Sequence, residues 1–328
     1  MRLFDLHCDT IDSLAFADYG AFSEYVKGAR GGDLVHNRIN LAADRVPCPW
    51  AQCYAVWVPD DLGPFGMDAL SFYRRARDWF FAHTAPEGPV VQLRDAREVE
   101  RVLGEGCVAA LLTIENGLPL TRMELIDEIA ADGVKMVTLT WNGANAIAHG
   151  TESQGGLTSY GHEVVRALED RRIVVDVSHL NDESFWDVAR AARRPFAASH
   201  SNARSVCNNL RNLSDDQFRA IRDAGGVVGI NYYRMFISNR ATGSDAPESG
   251  EVTFEELAAH VEHFLDLDGA ATVALGSDAD GCEAPAWLNG CEKMAPFYER
   301  CVARFGQELA DRLFFQNAYD FFVRNETA

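Results

Sequence analysis

The stretch from Ile173 to Ser201, IVVDVSHLNDESFWDVARAARRPFAASHS, constrains the fold more than any other part of the chain. Ile173 to Val177 is a mostly β-branched run, the pattern of a strand covered on both faces, and it delivers Ser178 and His179. Asn181 and Asp182 provide helix-capping chemistry, and the helix predicted after them carries Phe185, Trp186, Val188 and Ala189 on its apolar side. Pro195 opens a second apolar run, Phe196 to Ala198, which ends at His200. A strand, a helix and a strand in this order make a parallel unit whose strand ends lie side by side, so the two imidazoles are expected to be neighbours. Taken singly, each histidine reads as a hydrogen-bonded core residue. Equivalent positions at adjacent strand ends favour a metal site.

Similar runs recur along the chain. Leu3 to Leu6, Gln52 to Val58, Cys107 to Ile114, Val134 to Thr140, Val227 to Asn231 and Thr272 to Leu275 all read as strands, mostly separated by helical patterns such as 68–83, 159–170 and 254–267. Ser214 with Gln217 forms a capping box ahead of another helix. Residues 12–45 read as an excursion with a glycine-rich turn at 28–32, and 238–250 as a mobile surface loop. Eight strands alternating with helices fit an α/β fold, a single (β/α)8 TIM barrel, with residues 1–328 forming one domain.

Composition narrows the function. A formal charge of -19 excludes a phosphate backbone as partner, so no nucleic acid is expected. No apolar run reaches the length of a membrane helix, and neither end carries a targeting or lipid-anchoring segment, so no membrane anchor is expected. The 8 cysteines show no CxxC spacing, which suits reduced thiols and a cytoplasmic location.

In such a barrel the active site lies at the carboxyl ends of the strands. There the sequence puts His7 and Asp9 (strand one), Glu115 (strand three), His179 and His200 (strands five and six) and Asp278 (strand eight). Three imidazoles with carboxylates and no thiolate cluster suit zinc or another first-row divalent ion. Five ligands exceed the needs of one catalytic ion. Two ions bridged by Glu115 use them all, with His7 and Asp9 on one side and His179 and His200 on the other. Such ions, roughly 3.5–4 Å apart, would clamp a bridging hydroxide and lower its pKa. Asp278 is left to take a proton from that nucleophile and pass it to a leaving amine. His260 and His263 share a helix face without a third ligand and read as surface or packing residues.

The motifs LHCDT, TIENG, VVDVSHLNDESFWDV, ASHSNARSVCNNLRNLSDD and GSDADG span nearly the whole chain. Together they resemble the membrane (renal-type) dipeptidases, the M19 metallopeptidases. The resemblance implies a binuclear-zinc dipeptidase, often tolerant of a D-residue on the C-terminal side, with the metal and proton roles just given. It also implies that Arg211 grips the carboxylate of a small dipeptide substrate, as a guanidinium fork can. One position departs from the pattern: Trp141 stands where the family has a carbonyl-polarising histidine. Asn142, Asn145 or His149 are the candidates to supply the missing donor, so Trp141, Asn142 and His149 join Arg211 as expected substrate contacts. Two alternatives stay open: another binuclear amidohydrolase (an N-acyl amino acid hydrolase, deaminase or lactonase), and a non-catalytic binding protein with a degenerate site. Many such barrels bridge their metals with a carboxylated lysine. None of Lys27, Lys135 and Lys293 ends a predicted strand, so a glutamate bridge is favoured. The sequence leaves assembly, including a homodimer, open.

Overall fold

Strands covered on both faces need apolar side chains at nearly every position, and the chain supplies them in short bursts that all run the same way. The computed structural model describes residues 1–17, 19, 48–241 and 251–327. Within them lie the parallel strands β1 (Leu3–Cys8), β2 (Trp50–Trp57), β3 (Val90–Gln92), β4 (Val108–Glu115), β5 (Val134–Thr138), β6 (Val174–Asp176), β7 (Ala197–Ala198), β8 (Val227–Ile230) and β9 (Val273–Leu275). Pairing of β2 with β4 and of β1 with β9 closes eight of them into a barrel in the order β1-β2-β4-β5-β6-β7-β8-β9. The expected TIM barrel is therefore present. The additional strand is β3, which no sequence signal marked. It pairs with Val108–Ala110, on the edge of β4 that β5 occupies only from Leu112 onward.

The register is not uniform. Between Asp5 and Cys8, β1 advances one residue more than its neighbour β2. A bulge of this kind re-aims side chains at a strand end, and His7 lies inside it. Simple alternation along β1 therefore does not account for where His7 points.

Two features close the end of the barrel away from the site. The last helix, Asn317–Thr327, follows a single wide turn at Arg312–Gln316. Phe322 stacks on Phe4 of β1 with ring centroids 5.5 Å apart. Lys135, the second residue of β5, is buried, forms an ion pair with Glu326 and donates to the Arg94 carbonyl. This lysine serves the barrel floor and not its mouth.

Local signals agree with the sequence. Asn181 caps the helix Asp182–Ala191, and Ser214 and Gln217 complete their capping box. His260 is fully buried: its Nδ1 accepts from the Ala203 N–H and its Nε2 donates to the Ile237 carbonyl. His263 pairs with Asp215. The glycine-rich turn at 28–32, most of the excursion over 12–45, Lys27 and positions 242–250 of the expected loop lie outside the described residues.

His260 makes a pH prediction. Burial pulls its pKa from the usual 6.5 down to about 4. The folded state therefore holds fewer protons than the unfolded one between those values. Its contribution is complete above about 6.5 and is lost as pH falls towards 4, with a slope up to about 1.4 kcal/mol per pH unit. Thermal unfolding followed from pH 7 to 4.5 is expected to show a shallower acid loss for His260→Gln than for the parent chain.

Candidate metal centre

The predicted residues meet at the carboxyl ends of the strands. His7 lies within β1 and Asp9 just past it, and Glu115 is the last residue of β4. His179, His200 and Asp278 follow β6, β7 and β9 within three residues. Several of these turns use left-handed backbone: Asn116 (φ 75°), His179 (φ 70°) and Asp278 (φ 57°). A non-glycine residue there costs on the order of 1 kcal/mol and is held by its surroundings.

Glu115 sits in the middle. Its Oε2 is 3.3 Å from His7 Nε2, which in turn is 3.5 Å from Asp9 Oδ2 and 4.0 Å from Asp278 Oδ1. Its other oxygen, Oε1, is 2.8 Å from His179 Nε2 and 3.7 Å from His200 Nε2. The two imidazole nitrogens of His179 and His200 face one another at 3.0 Å. Among the described residues, donor atoms of His7, Glu115 and His200, and of His7, Asp9 and Asp278, cluster within 4.8 Å. Among the described residues, His7 Nε2 and Asp9 Oδ1 are buried without a hydrogen-bond partner. Orphaned lone pairs and converging carboxylates are costly unless a cation satisfies them, so the residues present fit divalent metal.

A second layer of hydrogen bonds aims these side chains. Asn142 Oδ1 lies 3.0 Å from His179 Nδ1. An amide oxygen only accepts, so Nδ1 carries the proton and Nε2 offers its lone pair inward. His200 is held the same way at one remove. Asp176 accepts from the Ser199 hydroxyl at 2.5 Å, and Ser199 Oγ is 2.7 Å from His200 Nδ1. With its proton committed to Asp176, the hydroxyl oxygen receives the imidazole N–H. Asp176 is saturated by Thr138 Oγ1 and by the N–H groups of Ser178 and Ser199. Asp5 plays the matching part under β1, accepting from the Ser277 N–H and hydroxyl. Asn231 Nδ2 donates to Asp278 Oδ2 at 3.0 Å, leaving Oδ1 towards His7. Gly229 and Gly276 let the Ser199 carbonyl approach closely, since a Cβ on either would collide with it.

The electrostatics reflect crowding. Burial raises the Asp278 carboxyl well above the usual range, and the charge of Asp9 adds to this. Burial works against the Glu115 carboxylate, but its neighbour His7 holds its pKa well below the ordinary value. Burial and the Arg211 charge bring His179 down to about 4. Arg211 is itself buried, and burial lowers its pKa to about 10. Its terminal nitrogens lie 3.5 Å from Ser201 Oγ and 3.4 Å from the His200 carbonyl, and its Nε has no partner among the described residues. Among the described residues no carboxylate lies within 4.0 Å of it. A buried guanidinium without a counter-ion is ready to receive one.

The other expected substrate contacts divide. Trp141 is half-buried at the rim, its ring 6.3 Å from that of His179. The oxygen of Asn142 is engaged with His179, so this side chain orients a candidate ligand. His149 is held by the Gly156 carbonyl and packs against Gly155, within its own loop. Asn145 is consumed by Asn116, Leu139, Ile147 and Ala148. Sequence reading missed Asp5, Asp176, Ser199 and Asn231. The first two carried a signal: a carboxylate inside an otherwise apolar strand must have a buried task. Asp12 was also passed over. It is fully buried, accepts from the Trp57 N–H at 2.5 Å and has an Oδ1 with no partner among the described residues.

Ser199→Ala removes one donor from Asp176 and the acceptor for His200 Nδ1. A loss of about 1–3 kcal/mol in unfolding free energy is expected in the metal-free protein, measured by denaturant titration.

Residues 51–319 match the model of the membrane dipeptidases, peptidase family M19. An uncharacterized protein encoded 5' of pqqA in Klebsiella pneumoniae is 33% identical over 247 residues, covering 72% of this chain and 88% of its own. An uncharacterized dipeptidase of Schizosaccharomyces pombe is 32% identical over 56% of this chain, a stretch that spans 44% of the yeast protein. Among solved structures, a metallopeptidase from Rhodobacter sphaeroides liganded with a phosphinate mimic of L-Ala-D-Ala superposes with a TM-score of 0.82 over 99% of both chains at 23% identity. A family M19 dipeptidase gives 0.83 at 24% identity, over 100% of this chain and 99% of its own. With the family pattern matched over most of its length, the chain belongs to the membrane dipeptidases of peptidase family M19 and is a metallo-dipeptidase by class.

Proposed function

We propose that the protein is a zinc-dependent dipeptidase that cleaves free dipeptides, with an L- or a D-residue at the second position. The observation that carries this reading is the division of Glu115, one oxygen towards His7 and Asp9, the other towards His179 and His200. That division supports two cations bridged by one carboxylate. Zinc suits a donor set of imidazoles and carboxylates. Two bound cations would supply a water of lowered pKa and polarise the scissile carbonyl.

The remaining work falls to the chain. Arg211 takes the substrate carboxylate through its unmatched guanidinium, which sets the register so that only a short peptide brings its amide to the centre. Asp278 moves the proton. Its Oδ2 is fixed by Asn231, and its Oδ1 faces the cluster, where it collects a proton from the attacking water and returns it to the departing amine. Trp141 offers an indole N–H with no partner among the described residues, and this takes the place of the family histidine as donor to the carbonyl oxygen. We read the chain as one barrel domain. The 8 free thiols support a reducing compartment such as the cytoplasm. Among the described residues no helix is long and apolar enough to cross a membrane.

A panel of L,L- and L,D-dipeptides, each as free acid and as C-terminal amide, tests the reading with zinc present. Cleavage of free dipeptides with poor use of the amides is expected. Arg211→Ala should raise KM for the free acids by roughly 10- to 1,000-fold while changing the amides little. Equal effects on both would remove Arg211 from carboxylate recognition. Glu115→Ala is expected to lose both metal equivalents on purification, measured by inductively coupled plasma mass spectrometry. Retention of two equivalents excludes the bridge.

A further inference from the structure

Between them two rim residues make a second recognition element, running from β2, the strand opposite β7, round to the end of β5. Trp57 ends β2, in register with Glu115 of β4. Trp141 follows β5 and meets Trp57 edge to face, with ring centroids 5.1 Å apart and planes at 74°. Both rings are half-buried. The pair is braced. Asp60, beyond β2, accepts from the Gly143 N–H at 2.7 Å and from Asn116 Nδ2 at 2.9 Å. Asn116 also donates to the Val58 carbonyl and accepts from Asn145. The segment that follows Trp57 and the loop that carries Trp141 are thus tied to each other and to the strand end bearing Glu115. Such an aromatic surface is set before any ligand arrives and loses little entropy on binding.

Barrel order places this wall. Going round the eight strands, β2 is four steps from β7, so Trp57 is diametrically opposite the segment after β7 that carries Arg211. Glu115 and the imidazoles lie between. A dipeptide spans only about 7 Å end to end. With its carboxylate at Arg211 and its amide over the centre, its first residue is directed at the tryptophans. The reading rests on the dipeptidase function proposed above.

We propose that Trp57 and Trp141 form the subsite for the side chain of the first residue, and that they select dipeptides whose amino-terminal residue is large and apolar or aromatic. Apolar contact of this size discriminates by roughly 10- to 200-fold, and edge-to-face aromatic packing adds to it.

The test compares kcat/KM for dipeptides carrying Phe, Leu, Ala or Gly first and one common second residue, on the zinc-loaded full chain. The parent protein is expected to favour Phe and Leu over Gly by about 10-fold or more. Trp57→Ala and Trp141→Ala are each expected to cut that ratio below about 3-fold, whereas Trp141→Phe, which keeps a ring and loses the N–H, should preserve it. Circular dichroism and zinc content identify a variant that has not folded, and the other alanine variant then decides. Equal rates for all first residues in the parent chain overturn the subsite and leave the dipeptidase reading standing. So does a ratio unchanged in both alanine variants. Cleavage of no dipeptide by zinc-loaded protein overturns the subsite and the dipeptidase reading together.

Discussion

A carboxylate buried among lone pairs is the constraint around which this barrel is arranged. Glu115 is almost inaccessible, and its nearest neighbours are imidazole nitrogens whose protons are largely committed elsewhere, together with two more acids. In the absence of positive charge such a group is strongly disfavoured at this depth. The fold tolerates it because it has placed every competing donor somewhere else. Asn142 takes one imidazole proton, the Ser199 relay takes another, and Asn231 is spent on Asp278. What remains at the centre is a set of acceptors that only a cation can reconcile.

That arrangement explains the otherwise unequal fates of the polar side chains around the mouth. Those that finish the second layer are saturated, as Asp176 is with four donors. Arg211 is left incomplete, buried and without a carboxylate beside it among the described residues. The contrast separates groups that shape the site from groups that await something else. It also argues against a barrel whose site has lapsed into a structural role, since lapsed sites have no reason to keep an unmatched guanidinium in the interior.

Much of this was legible in the residues. Runs such as IVVDV and CVAALLTI have the composition of strands covered on both faces, and the polar residues that end them mark the mouth directly. Asp278 and the five candidate ligands could be listed from that rule alone. The bulge in β1 could not, because a one-residue slip is decided by how neighbouring strands pack and leaves no compositional trace. The strand β3 was missed for a related reason: three residues, VVQ, are too few to show a period. The loop after β5 misled the reading most. Asn142, Asn145 and His149 look alike as free polar groups in a sequence, and only their partners distinguish an orienting amide from a turn-former. Proximity along the chain to a candidate site proved a poor guide to facing it.

The left-handed turns at His179 and Asp278 bear on which replacements this scaffold can absorb. Side chains that branch at Cβ are excluded there by the backbone before any chemistry is considered, whereas asparagine and glycine fit it readily. Asparagine at either position would thus alter the donor set without asking the loop to reorganise. Glu115, on an extended strand, is not limited by its backbone in this way, and only its buried surroundings restrict what can stand there. Drift at the rim of this barrel should accordingly proceed by exchange among small amides and acids at its corners, and by exchange of bulk along its strands.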